Sequence, residues 1–108
     1  MEKEKVIEEM QATQYRIHMY LSQKQSLELK LQEIETAIKE LRESKEEFAY
    51  KITGPIMIKV GKEDLIKELE EKKNLVELRI KAFEKQIEKL NDRMKELQEK
   101  LRGEKSGA

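Results

Sequence analysis

An unbroken heptad pattern in the second half of the chain is the feature that most constrains its fold. Alternating steps of three and four residues from Ile66 to Leu101 meet an apolar side chain at every position except Lys73. The stripe lasts for about five heptads, more than the three or four that indicate a coiled coil. No Gly or Pro interrupts it before Gly103, the expected end of the helix. The pattern therefore predicts one long helix over residues 62–102.

The first half of the chain carries a looser pattern of the same kind. Two apolar stripes, offset by one residue, are formed by Ile7, Met10, Ile17 and Leu21 and then by Leu27, Leu31, Ile34, Ile38, Leu41 and Phe48. We expect a phase slip near Lys24, which would locally change the winding of a coiled coil. Residues 4–47 contain no Gly or Pro, so one helix is predicted there. Because the two helices are similar in length, they can fold back and bury both stripes as an antiparallel coiled coil.

Residues 49–60 predict a single β-hairpin between the helices. Apolar and other side chains alternate on both sides of Thr53-Gly54-Pro55, and these three residues are predicted to form the turn. A lone two-stranded hairpin is marginal in water, and both of its strands are open edges. We therefore expect the hairpin to bind other subunits through Tyr50, Ile52, Gly54, Pro55, Ile56, Met57, Ile58 and Val60.

Composition excludes several classes of function. Basic and acidic residues balance at 23 each, which argues against a binder of nucleic acid. The chain has no Cys, and its sole histidine, His18, has no companion ligands, so we expect no metal site, no cofactor and no catalytic residues. No apolar run approaches the roughly 18 residues needed to cross a membrane. The charged N-terminus does not resemble a signal peptide, and a cytoplasmic protein is expected.

The hairpin motif and the order of the elements resemble those of a known protein family. The order helix, hairpin, helix, with Tyr50-Lys51-x-x-Gly54-Pro55 followed by Ile56, Ile58 and Lys59, resembles the beta-class subunits of the prefoldin family, archaeal type. Further similar segments are Gln23-Lys24-Gln25, Lys62 to Leu65, Lys67 to Leu69 and Leu75 to Arg79. The resemblance covers essentially the whole chain, and a single hairpin fits the beta class. It implies a mainly α, single-domain fold over residues 1–108, with a flexible tail at 103–108, whose hairpins assemble into an oligomeric β-barrel hub.

The resemblance also implies a function. Proteins of this kind are ATP-independent co-chaperones that capture unfolded polypeptides and deliver them to a group II chaperonin. The implied partners are alpha-type subunits and other copies of the chain, in a hexamer of two alpha and four beta subunits. If the hairpin is the hub, both chain ends lie at the far tip of the coiled coil, where helix ends fray. The expected client contacts are then Val6, Ile7, Met10, Met94, Leu97 and Leu101.

Two other hypotheses remain open on the sequence. A structural coiled-coil module, for oligomerisation or for filaments, would have the same helices and hairpin but would bind no client. A nucleic-acid-associated coiled coil would bind DNA or RNA with a strong dependence on salt, which the neutral net charge disfavours.

Overall fold

The chain consists of two long helices joined by one hairpin. The computed structural model describes the backbone of residues 2–106 and the side chains of residues 2–103. Its elements, in order, are α1 (Glu2–Glu43), β1 (Phe48–Thr53), β2 (Ile56–Gly61) and α2 (Lys62–Ser106). The prediction of a mainly α fold with a single hairpin is confirmed.

The elements group into two compact units. The hairpin unit is Leu27–Arg79, and the terminal unit is formed by the described parts of Met1–Ser26 and Ile80–Ala108. In the terminal unit the two helices run antiparallel, because Arg93 pairs with Glu9 while Lys24 pairs with Glu84. An aromatic contact between Tyr20 and Phe83, with ring centroids 5.6 Å apart, lies in the same helix interface.

The apolar stripe of α2 is buried as its heptad spacing predicts. Every stripe position from Ile66 to Leu101 is buried or half-buried, including Lys73. Leu97 is the most deeply buried of them, with none of its surface exposed. The helix begins at Lys62, and Glu63 and Asp64 place negative charge in its first turn, where it stabilises the positive end of the helix dipole.

The predicted phase slip in α1 is wrong. Apart from Ala37, the buried and half-buried positions of α1 follow one continuous stripe in steps of four and three, formed by Val6, Met10, Thr13, Ile17, Tyr20, Lys24, Leu27, Leu31, Ile34, Ile38 and Leu41. Thr13 is 5% exposed, and Lys24 is half-buried because its long aliphatic stem can cover apolar surface while its ammonium group reaches Glu84. Ile7 and Leu21, which the sequence suggested as stripe residues, flank the stripe at 37% and 36% exposure.

Helix α1 ends earlier than predicted, at Glu43 instead of residue 47. The Ser44 amide still donates to the Glu40 carbonyl oxygen at 3.0 Å, but the Ser44 hydroxyl accepts from the Glu46 amide at 3.1 Å. Such a local side-chain bond offers the backbone an alternative to another helical turn. Phe48 consequently lies in strand β1 and does not belong to the helical stripe.

The hairpin turn is formed by two of the three residues predicted for it, Gly54 and Pro55, whereas Thr53 is the last residue of strand β1. Gly54 takes a φ of +58°, at the first central position of a two-residue loop. A glycine with positive φ at this position is the requirement of a type II′ turn, whose twist matches that of the flanking strands.

At the C-terminal end, α2 continues past Gly103 to Ser106. Gly103 therefore does not end the helix, and residues 104–106 of the predicted flexible tail have helical backbone. The last two residues of that predicted tail lie outside the described residues.

Candidate functional site

The register of the hairpin divides its apolar residues between two faces. Directly opposed residues share a face of an antiparallel pair, and the pairs are Phe48 with Gly61, Ala49 with Val60, Tyr50 with Lys59, Lys51 with Ile58, Ile52 with Met57 and Thr53 with Ile56. The outer face thus consists of Phe48, Tyr50, Ile52, Met57 and Lys59. The inner face consists of Ala49, Lys51, Ile56, Ile58 and Val60.

Every side chain of the outer face is exposed. Ile52 is the extreme case at 73%, and Phe48, Tyr50 and Met57 each expose more than half of their surface. The Lys59 ammonium lies 4.4 Å from the centre of the Phe48 ring, a cation–π contact that places one positive charge on this otherwise apolar face. In the hairpin unit alone, therefore, nothing removes the outer face from water.

The inner face is turned towards helix α2. Lys51 donates from its ammonium nitrogen to Glu68 Oε1 at 2.6 Å. This hydrogen bond lowers the pKa of Glu68. Desolvation of the carboxylate opposes that effect, and the charges of Lys51 and Lys72 lower the pKa further. Ala49, Lys51 and Val60 are half-buried, whereas Ile56 and Ile58, nearer the turn, remain exposed.

The inner face is nevertheless covered incompletely. An open cleft of about 360 Å³ lies between strand β1 and the helices of the hairpin unit, and its apolar lining comes from Ala37, Leu41, Ala49, Leu65 and Leu69. Every one of these five side chains is half-buried. Apolar side chains of a second molecule could reach this cleft as well as the outer face.

The base of the hairpin is fixed to the linker that follows α1. The Lys62 amide donates to the Glu47 carbonyl oxygen at 2.9 Å, and the Lys62 ammonium donates to the Ser44 carbonyl oxygen at 2.9 Å. One residue at the start of α2 therefore binds both ends of residues 44–47. This positions the hairpin where the chain leaves one helix and enters the next.

The residues suggested as client contacts differ widely in exposure. We call Val6, Ile7, Met10, Met94, Leu97 and Leu101 the helix-end set, since they lie near the start of α1 and the end of α2. Val6 and Leu97 are buried stripe residues, while Met10, Met94 and Leu101 are half-buried and Ile7 is exposed. Near this set Arg93 joins the two helices, with 2.7 Å between its Nη2 and Glu9 Oε1. Its hydrogen bonds to Glu9 and Glu96 raise the pKa of the Arg93 guanidinium.

The sequence interpretation missed two members of the hairpin surface, Phe48 and Lys59. Phe48 was assigned to the helical stripe, although its alternation with Tyr50 and Ile52 is a strand signal that could have identified it. Gly54 and Pro55 lie in the turn and are exposed, as are five of the six other residues suggested for the hairpin; Val60 alone is half-buried.

Other kinds of site are not found in the part of the chain that the structure describes. Among those residues no three His, Cys, Asp or Glu side chains come together in a way that could hold a metal ion. Neither helix, over its described length, offers an apolar stretch suited to crossing a bilayer. His18 is exposed and accepts a hydrogen bond at Nε2 from the Gln14 side-chain amide at 3.2 Å.

Comparison with known proteins gives one consistent result. A family model described as a prefoldin subunit matches residues 4–107. The prefoldin beta subunit of Archaeoglobus fulgidus is 39% identical over 97 residues, covering 89% of this chain and 84% of that protein. That of Thermococcus onnurineus is 33% identical over 94 residues, covering 86% of this chain and 81% of that protein.

The same similarity appears in three dimensions. The crystal structure of the prefoldin beta subunit from Thermococcus strain KS-1 superposes with a TM-score of 0.89 at 28% sequence identity, covering 94% of this chain and 90% of that one. Helices, hairpin and their order are shared over nearly all of both chains. The chain therefore belongs to the prefoldin family, and its relatives there are beta subunits.

Proposed function

We propose that this chain is the beta-type subunit of an ATP-independent co-chaperone in the cytoplasm. It would capture unfolded polypeptides with the helix-end set and deliver them to a group II chaperonin. Its assembly partners would be alpha-type subunits and further copies of itself, in a hexamer of two alpha and four beta subunits. Membership of the prefoldin family supports a chaperone role of this kind.

The exposed hairpin is the observation that carries the proposal. A two-stranded ribbon with this much uncovered apolar surface gains little stability alone, because three or more strands or a covering layer are normally needed. Pairing with other hairpins would give hydrogen-bond partners to the backbone groups at the free strand edges, and it would also remove the outer face from water. Assembly through the hairpin uses no residue of the helix-end set, which belongs to the terminal unit.

Capture of a client would begin at the accessible members of the helix-end set. Ile7 is exposed, and Met10, Met94 and Leu101 are half-buried, so an apolar client segment could reach these four without any unfolding. Methionine suits varied partners because its unbranched thioether chain adapts to different shapes. Each contact is weak, but several subunits acting on one client raise the effective concentration and hence the avidity. The mechanism needs no nucleotide and no chemical step.

Assembly is tested by native mass spectrometry of the chain alone and with an archaeal alpha-type subunit. We expect a defined hetero-oligomer for the wild type and a shift to free subunits for Ile52→Lys, since a charge on the outer face opposes its burial. Leu78→Lys is the matched control, because Leu78 is 63% exposed on α2 in the hairpin unit and belongs to neither hairpin face. Equal effects of the two variants would refute assembly through the outer face.

Client capture is tested with the assembled complex and a chemically denatured protein diluted into buffer. The wild-type complex should suppress light scattering, and the double variant Ile7→Ser with Met94→Ser should suppress it less. Leu78→Ser serves as the control for loss of an exposed apolar residue elsewhere. If the wild-type complex gives no suppression at several-fold excess, the chaperone proposal fails and the structural coiled-coil hypothesis takes its place.

A further inference from the structure

The surface of α1 in the terminal unit is unlike the rest of this highly charged chain. Charged residues make up 43% of the whole sequence, yet residues 10–26 contain no Asp or Glu, and only Arg16 and Lys24 are charged. Lys24 belongs to the apolar stripe and lies 3.7 Å from Glu84. By the 3.6-residue period, Arg16 lies on the far flank of the helix. A broad side of α1 is therefore left without charge.

We call this side the uncharged face, and it consists of Gln14, Tyr15, His18, Met19, Leu21 and Ser22. Helical periodicity places these six side chains on one side of α1, and all of them are exposed. Tyr15 exposes 66% of its surface and Met19 exposes 43%. Ile7 lies on the same side, so the uncharged face continues directly from the accessible part of the helix-end set.

Helix α2 in the same unit presents the opposite kind of surface. Its exposed positions alternate in charge through Lys81, Glu84, Lys85, Glu88 and Lys89. Such a charged, hydrated surface is normal for the outside of a coiled coil. The composition of α1 thus reflects something other than solubility, because an outward charge would be accommodated there as easily as on α2.

Depletion of charge together with exposed Tyr and Met is the compositional signature of an interaction surface. Binding at such a surface avoids the cost of removing unpaired charges from water. Gln14 and Ser22 add hydrogen-bond donors and acceptors that can pair with main-chain amides of a partner. Charged residues stand at the two ends of the face, Glu8 on α1 and, in the cleft beside Leu21, α2 residues such as Glu88. Between these ends α1 offers a partner no counterion at Tyr15, His18 or Met19, so the partner that matches this part is itself uncharged.

The length of the uncharged face together with Ile7 limits the size of the segment that it binds. Ile7 and Leu21 are separated by about 21 Å along the helix at 1.5 Å per residue. An extended peptide covers that distance with about six residues at 3.3–3.4 Å each. A polypeptide held at Ile7 and continuing along α1 would therefore meet Gln14, Tyr15 and Leu21 within one short segment.

We propose that the uncharged face, together with Ile7, binds an extended, uncharged segment of about six residues of an unfolded polypeptide. This inference rests on the proposed chaperone function and adds to it a class of client: segments rich in aromatic, aliphatic and amide side chains and lacking charge. Helix α2 does not bind such segments, because its outward surface in the terminal unit is charged.

The inference is tested with fluorescent peptides and the full-length chain in complex with an alpha-type subunit. One peptide of twelve residues contains only Tyr, Leu, Gln and Ser, and the second replaces two Gln by Glu and two Ser by Lys. Fluorescence anisotropy should show tighter binding of the uncharged peptide. Met19→Glu should weaken that binding by about ten-fold, since it buries an unpaired carboxylate. Ala82→Glu, an equal charge at an exposed position of α2 in the terminal unit, should change it less than about two-fold.

Three results would overturn the inference. The charged peptide could bind as tightly as the uncharged one, the two variants could lose affinity equally, or Met19→Glu could change the subunit stoichiometry, which would mark the face as a contact between copies. Circular dichroism checks that both variants keep their helix content. The aggregation assay separates the two proposals. If the wild-type complex suppresses aggregation but Met19→Glu binds the peptide as tightly as the wild type, only the role of the uncharged face is refuted. If the wild-type complex does not suppress aggregation, the chaperone function is refuted.

Discussion

Replacing Leu97 by Ala tests whether the most buried position of the helix-end set holds the helices together or binds clients. Leu97 has no exposed surface, so truncation cannot be compensated by hydration of the smaller side chain. Burying a leucine stabilises a fold by roughly 1.5–3 kcal/mol. The cavity that remains raises the loss for Leu→Ala to roughly 2.7–5 kcal/mol in well-packed sites. We expect about 3 kcal/mol, near the lower limit, because helices near their ends can relax into the gap.

The assay is urea unfolding followed by circular dichroism at one fixed protein concentration, since assembly adds to apparent stability. A loss of 3 kcal/mol is large against the roughly 5–15 kcal/mol of a typical domain. Leu78→Ala is the control, and its exposed side chain should change the free energy of unfolding by less than about 0.5 kcal/mol. A loss below about 1 kcal/mol for Leu97→Ala, with weaker binding of a denatured client, would refute a role in packing and favour a direct client contact.

Three further outcomes are expected. Gly54→Ala should destabilise the hairpin by about 1–2 kcal/mol, because an L-residue is strained at φ +58°. Gly61→Ala should have a smaller effect, because the added methyl group meets only the movable Asp64 side chain. Amide hydrogen exchange of β1 and β2 measures both effects. The pKa of Glu68 is lowered in the folded state, so its bond to Lys51 stabilises the fold above the ordinary pKa of Glu, and this stabilisation is lost as pH falls through the lowered value. The protection factors of the hairpin amides, which correct for the intrinsic pH dependence of exchange, should fall on acidification, and Glu68→Gln should remove that fall. Lys24→Leu should raise the free energy of unfolding by about 1 kcal/mol because position 24 lies on a continuous stripe, whereas no gain would indicate that Leu is exposed there.

The sequence was sufficient to predict the buried stripe of α2 and only partly sufficient to predict that of α1. In α2 the apolar side chains themselves mark the stripe, with Lys73 the single exception. In α1 the stripe includes Thr13 and Lys24, while Ile7 and Leu21 lie beside it, so a search for apolar residues alone produced a phase slip that does not exist. Long side chains such as Lys24 bury their stems while their charges stay in water, and composition alone does not reveal this.

The hairpin was predictable as an element but not as a surface. Each strand alternates visibly in the sequence, yet the face that each side chain joins depends on how many residues form the turn. Because Gly54 and Pro55 alone form it, Thr53 pairs with Ile56, and the apolar rows of the two strands fall on opposite faces. The bond from Lys51 to Glu68 joins residues 17 apart in sequence, a separation that no local pattern indicates.

The separation of the two apolar rows has a consequence for how many neighbours one molecule needs. A two-fold pair stacked on the outer face would shield that side of each ribbon and leave exposed the part of the inner face that α2 does not cover. Covering both sides takes at least two neighbours for each molecule, so association either closes into a ring or continues without limit. A second kind of subunit could cover one face of the last hairpin without exposing a further apolar face of its own. Such a subunit would end the growth at a definite size.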